Sequence, residues 1–428
     1  MIISQYIYYF CITKYKDNKM KKTILSVILT FTLSFHLIAQ NAVEMHGQLS
    51  VKGTQIVDKN GNAVCFAGPS LFWSNNYWGG ENFYNKDVVD WVHSDWNAPI
   101  IRAAMGVDAS GGYLDFPENK AKVEKVVAEA IANGMYVIID WHSHHAEDYK
   151  TEAIAFFESM AKEYGSYPNI IYEIYNEPLN ISWSNVIKPY ANEVIKAIRA
   201  IDKNNIIVVG TPTWSQDVYS ASLDPITSYK NIAYTLHFYA GTHGKDLRNN
   251  AIKAMNNGIA LMVTEWGTVE ASGDGAVAVD SLKPWIQFMK DYKLTNCNWA
   301  LNDKTEGASA LVYGVSEYGQ WKDTELTESG QLVKYLIKNW EGNVVVGSDI
   351  VATKSLISAK LNSQGDINIS PNDNSITYIC NLYDMNGRAL YNSKFEGSQS
   401  ISTMNFATGM YILQIIANDE LQTFKFVK

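Results

Sequence analysis

Residues 171–178 read IYEIYNEP and residues 260–267 read ALMVTEWG. Each is a short apolar, β-branched stretch that closes on a glutamate, Glu177 or Glu265. Each breaks at once, at Pro178 or at Gly267 one residue past Trp266. Runs of this kind read as strands buried on both faces, as in a parallel sheet. Working outward, similar runs fall at 63–68, 100–104, 136–140, 170–175, 206–209, 232–236, 260–264 and 296–300. Helical periodicity falls between them, clearest at 118–132, 153–164, 184–201 and 277–292, and again at 329–339. Eight β/α units over roughly 300 residues match the size of a (β/α)₈ barrel. An open doubly wound sheet fits less well, because no Gly-rich dinucleotide turn follows an early strand.

The rest of the 428 residues frames that barrel. Met20-Lys21-Lys22 precedes an uncharged apolar run from Thr23 to Ile38, and Ala39 follows as a small residue. This pattern predicts a signal peptide that starts at Met20, with residues 1–19 upstream of the true start. An uncleaved anchor is the alternative, since the run is near the roughly 17-residue minimum for a span. The segment QLSVKGTQIVDKNGNAVCFAG (48–68) predicts a small hairpin, turning at Asn60-Gly61, ahead of the first strand. Residues 343–428 hold no tryptophan and show β runs at 375–382, 388–395, 410–416 and 423–427. The expected domains are therefore 1–39 (upstream residues and signal), 40–342 (barrel) and 343–428 (small all-β domain). A net charge of −9 argues against a nucleic-acid partner. Cys65, Cys297 and Cys380 outside the leader make no disulfide framework. One bridge between Cys65 and Cys297 is conceivable on neighbouring strands.

In a barrel, function gathers at the carboxyl ends of the strands. The polar residues there are Arg102, His142, Asn176 with Glu177, His237 with Tyr239, Glu265 and Trp299. Singly, each fits a salt bridge or a satisfied structural residue. Together at corresponding ends, they make a site. Two carboxylates facing each other suit a retaining glycosidase, with one acid/base and one nucleophile. The run His142-Ser143-His144-His145 also resembles a metal cluster, yet His237 is the sole later strand-end histidine, so no metal and no cofactor is expected. Glu173 and Asp140 lie deeper in their strands and read as buried partners. A non-catalytic glycan-binding barrel is a further alternative, but it need not keep both carboxylates.

The ordered set IIRAAMG, VIIDWHSHH, IYEIYNEP, TPTWSQD, LHFYA, VTEWG and NWALNDKTEGAS, over about residues 48 to 340, resembles glycoside hydrolase family 5, in its bacterial endoglucanase branch. The resemblance implies a retaining endo-β-1,4-glucanase acting on cellulose or a related β-glucan, with β-mannanase or xyloglucanase as alternatives on the same glutamates. It implies Glu177 as acid/base and Glu265 as nucleophile. Arg102 and Tyr239 would support Glu265, and His237 would orient Glu177. Asn176 would bond the sugar 2-hydroxyl, His142 would bind the same sugar, and Trp299 would form its floor. Trp73, Lys304 and Glu306 would line the non-reducing side and Trp214 the leaving-group side. Ser70-Leu71-Phe72 stands where some members carry a histidine, which bears on specificity.

CNLYDMNGRALYNSKF, ISTMNFATGMYILQI and the basic end FKFVK resemble the C-terminal sorting domain of the type IX secretion system. That implies a secreted or surface protein that engages this machinery and loses its tail. The usual opening motif is reduced to Ser370-Pro371-Asn372. A carbohydrate-binding module is the alternative, made less apt by the lack of tryptophan. A monomer is expected.

Overall fold

The computed structural model describes residues 41–342, 357–362, 365–371, 376–385, 387–404, 406–417 and 420–428. The expected signal peptide and the start of the expected small domain, residues 343–356, lie outside these residues. So does Asn386 of the expected Asn-Gly turn.

The apolar runs become parallel strands because residues buried on both faces leave nothing for water to solvate. They are β3 (Ala67–Leu71), β4 (Ile100–Gly106), β5 (Tyr136–His142), β6 (Ile170–Glu173), β7 (Ile206–Val209), β8 (Ile232–Tyr239), β9 (Leu261–Gly267) and β10 (Asn296–Leu301). They close as a barrel in the order β10-β3-β4-β5-β6-β7-β8-β9. Amphipathic helices follow the strands. Lys188–Ile201, for example, buries Tyr190, Ala191, Val194, Ile195 and Ile198 on one face.

The first barrel strand sits four residues later than the pattern suggests. Val64 donates its amide to Ile56 O at 2.9 Å, and Ala63 bridges to Val57, so these residues serve an N-terminal plug. Gly68 and Pro69 obscure the true strand. Gly68 is required there, because a Cβ would lie 1.8 Å from Ile100 O. A hairpin of β1 (Ser50–Lys52) and β2 (Gln55–Val57) turns at Gly53 (φ 62°), and the chain turns again at Asn60-Gly61, as expected, to lay 63–64 antiparallel on 56–57. Leu49, Ile56, Val64 and Phe66 from this plug pack on Ile100, Tyr136, Ile138, Ile171 and Val208 and seal the lower end of the barrel.

Two longer helices, Lys86–Ser94 and Lys245–Asn256, went unpredicted, as did the short ones at Ala42–His46, Pro212–Ser215 and Val218–Leu223. The second carries Asn249, Asn250 and Asn256, whose low helix propensity hides its buried Ala251, Ala254 and Met255. The three cysteines outside the leader are free. Cys65 lies outside β3, with Sγ 3.3 Å from Leu294 O. Among the described residues no helix is long and apolar enough to cross a membrane.

The C-terminal residues form antiparallel sheets of three strands (β11 Ile357–Leu361, β12 Ile367–Pro371, β15 Gln399–Ile401) and four (β13 Tyr378–Asp384, β14 Ala389–Phe395, β16 Met410–Ala417, β17 Glu420–Val427). Alternate residues Tyr378, Cys380 and Leu382 face a common core with Ile367, Ile369, Leu413 and Ile415. The period-2 pattern made β13, β14, β16 and β17 legible. Strands β11, β12 and β15 are short or serine- and asparagine-rich and escaped it.

Candidate active site

The site grows from β4. Arg102 is fully buried, and its guanidinium spreads across four strands. Nε donates to Glu173 Oε2 at 2.7 Å, Nη1 to Glu265 Oε2 at 2.9 Å, and Nη2 to Asn176 Oδ1 at 2.7 Å. Asp140 Oδ2 lies 2.9 Å from Nη2, and Ser70 Oγ accepts from Nη1 at 3.3 Å. One cation thus answers three buried carboxylates, which raises it well above its usual range against the effect of burial. Glu173 is held below the ordinary carboxylate range; burial pushes it up, but Arg102 and His237 outweigh that.

Glu265 accepts from two donors, Arg102 on Oε2 and Tyr239 Oη on Oε1 at 2.7 Å. The Tyr239 ring lies against Gly267, where a Cβ would come within 2.1 Å. That close approach explains the glycine after Trp266. Burial, then the Glu177 charge, push Glu265 upward; His237, Arg102 and Tyr239 oppose this.

Glu177 lies beyond β6, which ends at Glu173 rather than at Tyr175. Its loop is pinned by backbone bonds from Ile174 to Val208 O (3.0 Å), Asn176 to Trp141 O (3.3 Å) and Glu177 to Ser143 O (3.3 Å). Glu177 Oε1 lies 2.9 Å from His237 Nδ1, and its backbone carbonyl lies 3.1 Å from His144 Nδ1. A carboxylate oxygen of Glu177, a ring nitrogen of His237 and a carboxylate oxygen of Glu265 all lie within 4.8 Å of one another. Burial alone would push His237 down. The Glu265 charge and hydrogen bonds to Glu173 and Glu177 prevail and push it up to about 9.

His142 Nδ1 shares a 2.6 Å hydrogen bond with Asp140 Oδ2. Burial, then Arg102, hold His142 well below its usual range, so it is neutral. Its ring stacks on Trp299 at 5.1 Å with 2° between planes, and Trp73 meets it edge-on at 4.1 Å. Trp73 continues to Trp78 at 5.5 Å. Phe72 lies 5.2 Å from Trp299, and Lys304 Nζ lies 5.2 Å over the Phe72 ring while pairing with Glu306 at 2.5 Å.

Trp214 sits in a loop where Thr213, Trp214 and Ser215 all adopt left-handed φ (59°, 54° and 56°). Its amide donates to Pro178 O at 2.8 Å, which holds this half-exposed indole beside the Glu177 loop.

Asn176 gives its Oδ1 to Arg102, and its buried Nδ2 has no protein partner among the described residues. Arg102 therefore serves both sides of the site, not Glu265 alone. Thr264 was also missed. Its hydroxyl reaches Glu173 Oε1 at 2.5 Å and His237 Nε2 at 2.9 Å. Strand alternation should turn it away from the side that Glu265 faces. Against β8, however, the pairing jumps from Thr235↔Met262 to His237↔Glu265, and β10 shows the matching jump from Val263 to Trp266. β9 carries an extra residue, a bulge that turns both side chains into the site.

A closed parallel barrel with paired carboxyls, a shared arginine and aromatic walls at its upper end belongs to a sugar-cleaving class. Residues 57–305 match the model for cellulase of glycosyl hydrolase family 5, and residues 363–428 match that for a secretion system C-terminal sorting domain. Endoglucanase Z of Dickeya dadantii is 56% identical over 326 residues, spanning 76% of this chain and 74% of that one. An endoglucanase of Clostridium saccharobutylicum is 43% identical over 371 residues, spanning 84% and 81%. Among solved structures, a Cytophaga hutchinsonii protein aligns at TM-score 0.68 with 51% identity, covering 70% of this chain and 97% of that one. The catalytic domain of a Thermobifida fusca endoglucanase aligns at 0.66 with 32% identity, covering 70% and 100%.

The chain belongs to glycosyl hydrolase family 5. It is a secreted or cell-surface glycoside hydrolase of the endo-1,4-β-glucanase class, with a C-terminal sorting domain for the type IX secretion system.

Proposed function

We propose that Glu177 and Glu265 cleave internal β-1,4 bonds of cellulose or a related β-glucan by double displacement, with Glu177 as acid/base and Glu265 as nucleophile. The observation that carries this is that the two carboxyls face each other, with an oxygen of one within 4.8 Å of an oxygen of the other, which leaves little room for a water between them. Retaining enzymes need about 5–5.5 Å, whereas inverting ones need roughly 6.5–9.5 Å to admit a water.

Their neighbours divide the roles. Double displacement needs one proton shared between two such neighbouring carboxyls, held on the acid/base before the first step. Donors on both oxygens of Glu265 favour the anion there. The net upward push on Glu265 works against a nucleophile, but its second source is the Glu177 charge. That source disappears once Glu177 carries the proton. In the first step Glu177 gives its proton to the leaving oxygen while Glu265 attacks the anomeric carbon and forms the glycosyl-enzyme. In the second, Glu177 takes a proton from water, which displaces Glu265. The unpaired Asn176 Nδ2 is suited to the 2-hydroxyl, a contact that strengthens in the transition state. His142, Trp299 and Trp73 supply the stacking wall, Lys304 and Glu306 extend it, and Trp214 serves the leaving-group side.

A 2-fluoro-cellobioside trap tests the assignment: mass spectrometry should find the adduct on Glu265. The preferred polymer is tested with carboxymethylcellulose, mixed-linkage β-glucan, xyloglucan and mannan, with product sizing. Turnover of mannan alone would move the substrate to that alternative. We further propose that the enzyme acts as a monomer after loss of its tail. Light scattering and the mass of the secreted form check both.

A further inference from the structure

Behind the two glutamates runs a continuous chain of buried side chains. Glu177 Oε1 meets His237 Nδ1 at 2.9 Å; His237 Nε2 meets Thr264 Oγ1 at 2.9 Å. The Thr264 hydroxyl donates to Glu173 Oε1 at 2.5 Å, Glu173 Oε2 accepts from Arg102 at 2.7 Å, and Arg102 reaches Glu265 at 2.9 Å. Thr264 and Glu173 are wholly buried.

The donors in this chain leave little freedom. Glu173 stays ionised because Arg102 and His237 overcome its burial, so it can only accept. Thr264 has one hydroxyl proton, and it is committed to Glu173. Its oxygen must then accept from His237, which puts a proton on Nε2. Nδ1, facing Glu177, is the one ring atom whose proton is not fixed. While Glu177 is the base, its charge helps to keep His237 protonated, and Nδ1 donates to it; once Glu177 carries the proton that support is gone, and Nδ1 can accept. A histidine with its one proton held on Nδ1 could donate to Glu177 but never accept from it.

We propose that Thr264 and Glu173 are positioning residues for the reaction: Glu173 locks the Thr264 hydroxyl, Thr264 locks the proton on His237 Nε2, and His237 Nδ1 is thereby left to follow the charge of Glu177 through both steps. This rests on the double-displacement reading of the glutamate pair. Glu173 also steers Arg102 onto Glu265, so one buried carboxylate sets the posture of both reacting groups. Several charged groups act on His237. Glu173 and Glu177 approach from β6 and the loop after it, and Glu265 from β9; the imidazole in turn repels His142 on β5. Thr264→Val leaves all of these charges in place and removes one hydroxyl, which accepts from His237 and donates to Glu173.

The test uses the full chain and soluble cello-oligosaccharides, with kcat and KM measured across pH 4–10. Thr264→Val keeps the β-branched shape. It should lower kcat roughly 10- to 100-fold, the rate equivalent of one lost buried hydrogen bond, with KM within about twofold. Without an acceptor at Nε2 the imidazolium loses support, so the basic limb of kcat/KM should move to lower pH by about one unit. Thr264→Ser should restore both. Glu173→Gln should show the same shift with a larger fall in kcat, since it disturbs Arg102 as well. If Thr264→Val does not fold, Thr264→Ala carries the same expectation. A folded Thr264→Val with the parent kcat and unmoved limbs overturns the positioning role alone. A parent enzyme inert on every polymer in the panel, mannan included, brings down the double-displacement reading and this inference with it.

Discussion

The eight strands carry two unlike interiors, one directly above the other. Below, Ile100, Ile138, Ile171 and Met262 belong to a dry cluster closed by the N-terminal hairpin. Two residues further along the same strands stand Arg102, Asp140, Glu173 and Thr264, all fully buried and polar. Two residues is one step on one face of a strand. Within that step the barrel passes from apolar packing to a charged, hydrogen-bonded network. The lower layer supplies stability without touching substrate. The upper layer holds charges that burial would expel were they not answered by Arg102 and by one another.

The largest expected effect breaks the upper layer alone. Glu265→Ala should lower kcat on carboxymethylcellulose by on the order of 10⁴-fold or more, with the circular-dichroism spectrum and melting unchanged or improved. A purified, folded variant that still turns over would undo the assignment. Glu177→Gln should lower turnover of glucan about 10²- to 10⁴-fold, the usual worth of general acid catalysis. Its first step with a dinitrophenyl cellobioside should stay near the parent rate, because that leaving group needs no proton. Equal losses on both substrates would mean that Glu177 is not the acid.

The lower layer should answer in the opposite currency. Ile138→Ala should destabilise by about 2–5 kcal/mol in denaturant melts, while kcat per folded molecule stays within about twofold. A fall in kcat at full folding would show that the layers are not separable.

His237 gives a finer test. Its folded value lies near 9 against an ordinary 6.5, so it binds its proton more tightly when folded. That stabilisation is fully present below about pH 6.5 and lost as pH rises through about 9. Melting temperature should therefore fall over that window, and His237→Gln should flatten the fall. The smallest effect is expected in the tail: a chain ended at Gly342 should keep the parent kcat on soluble glucan.

Much of this was legible before any coordinates. Apolar runs and helical periods are local signals, and they located the barrel and nearly all its strand-end residues. The failures were also physical. Residues 63–66 look like a strand because they are apolar, yet they belong to the plug. The polarity of Lys245–Asn256 concealed a helix that needs only three buried side chains. Thr264 was passed over because ordinary alternation turns it away from the side that Glu265 faces.

By itself, the sequence determined which residues could do chemistry, and that two glutamates close apolar, strand-like runs. It could not determine how they are wired. Arg102 and Glu265 are 163 residues apart, yet their contact depends on β4 and β9 meeting one barrel axis. The β9 bulge exists only as a register against β8 and β10, so no run of residues within β9 encodes it visibly. Hydrophobic period is a property of neighbours in the chain. A network of buried charges is a property of neighbours in space, and only the closed barrel decides who those neighbours are.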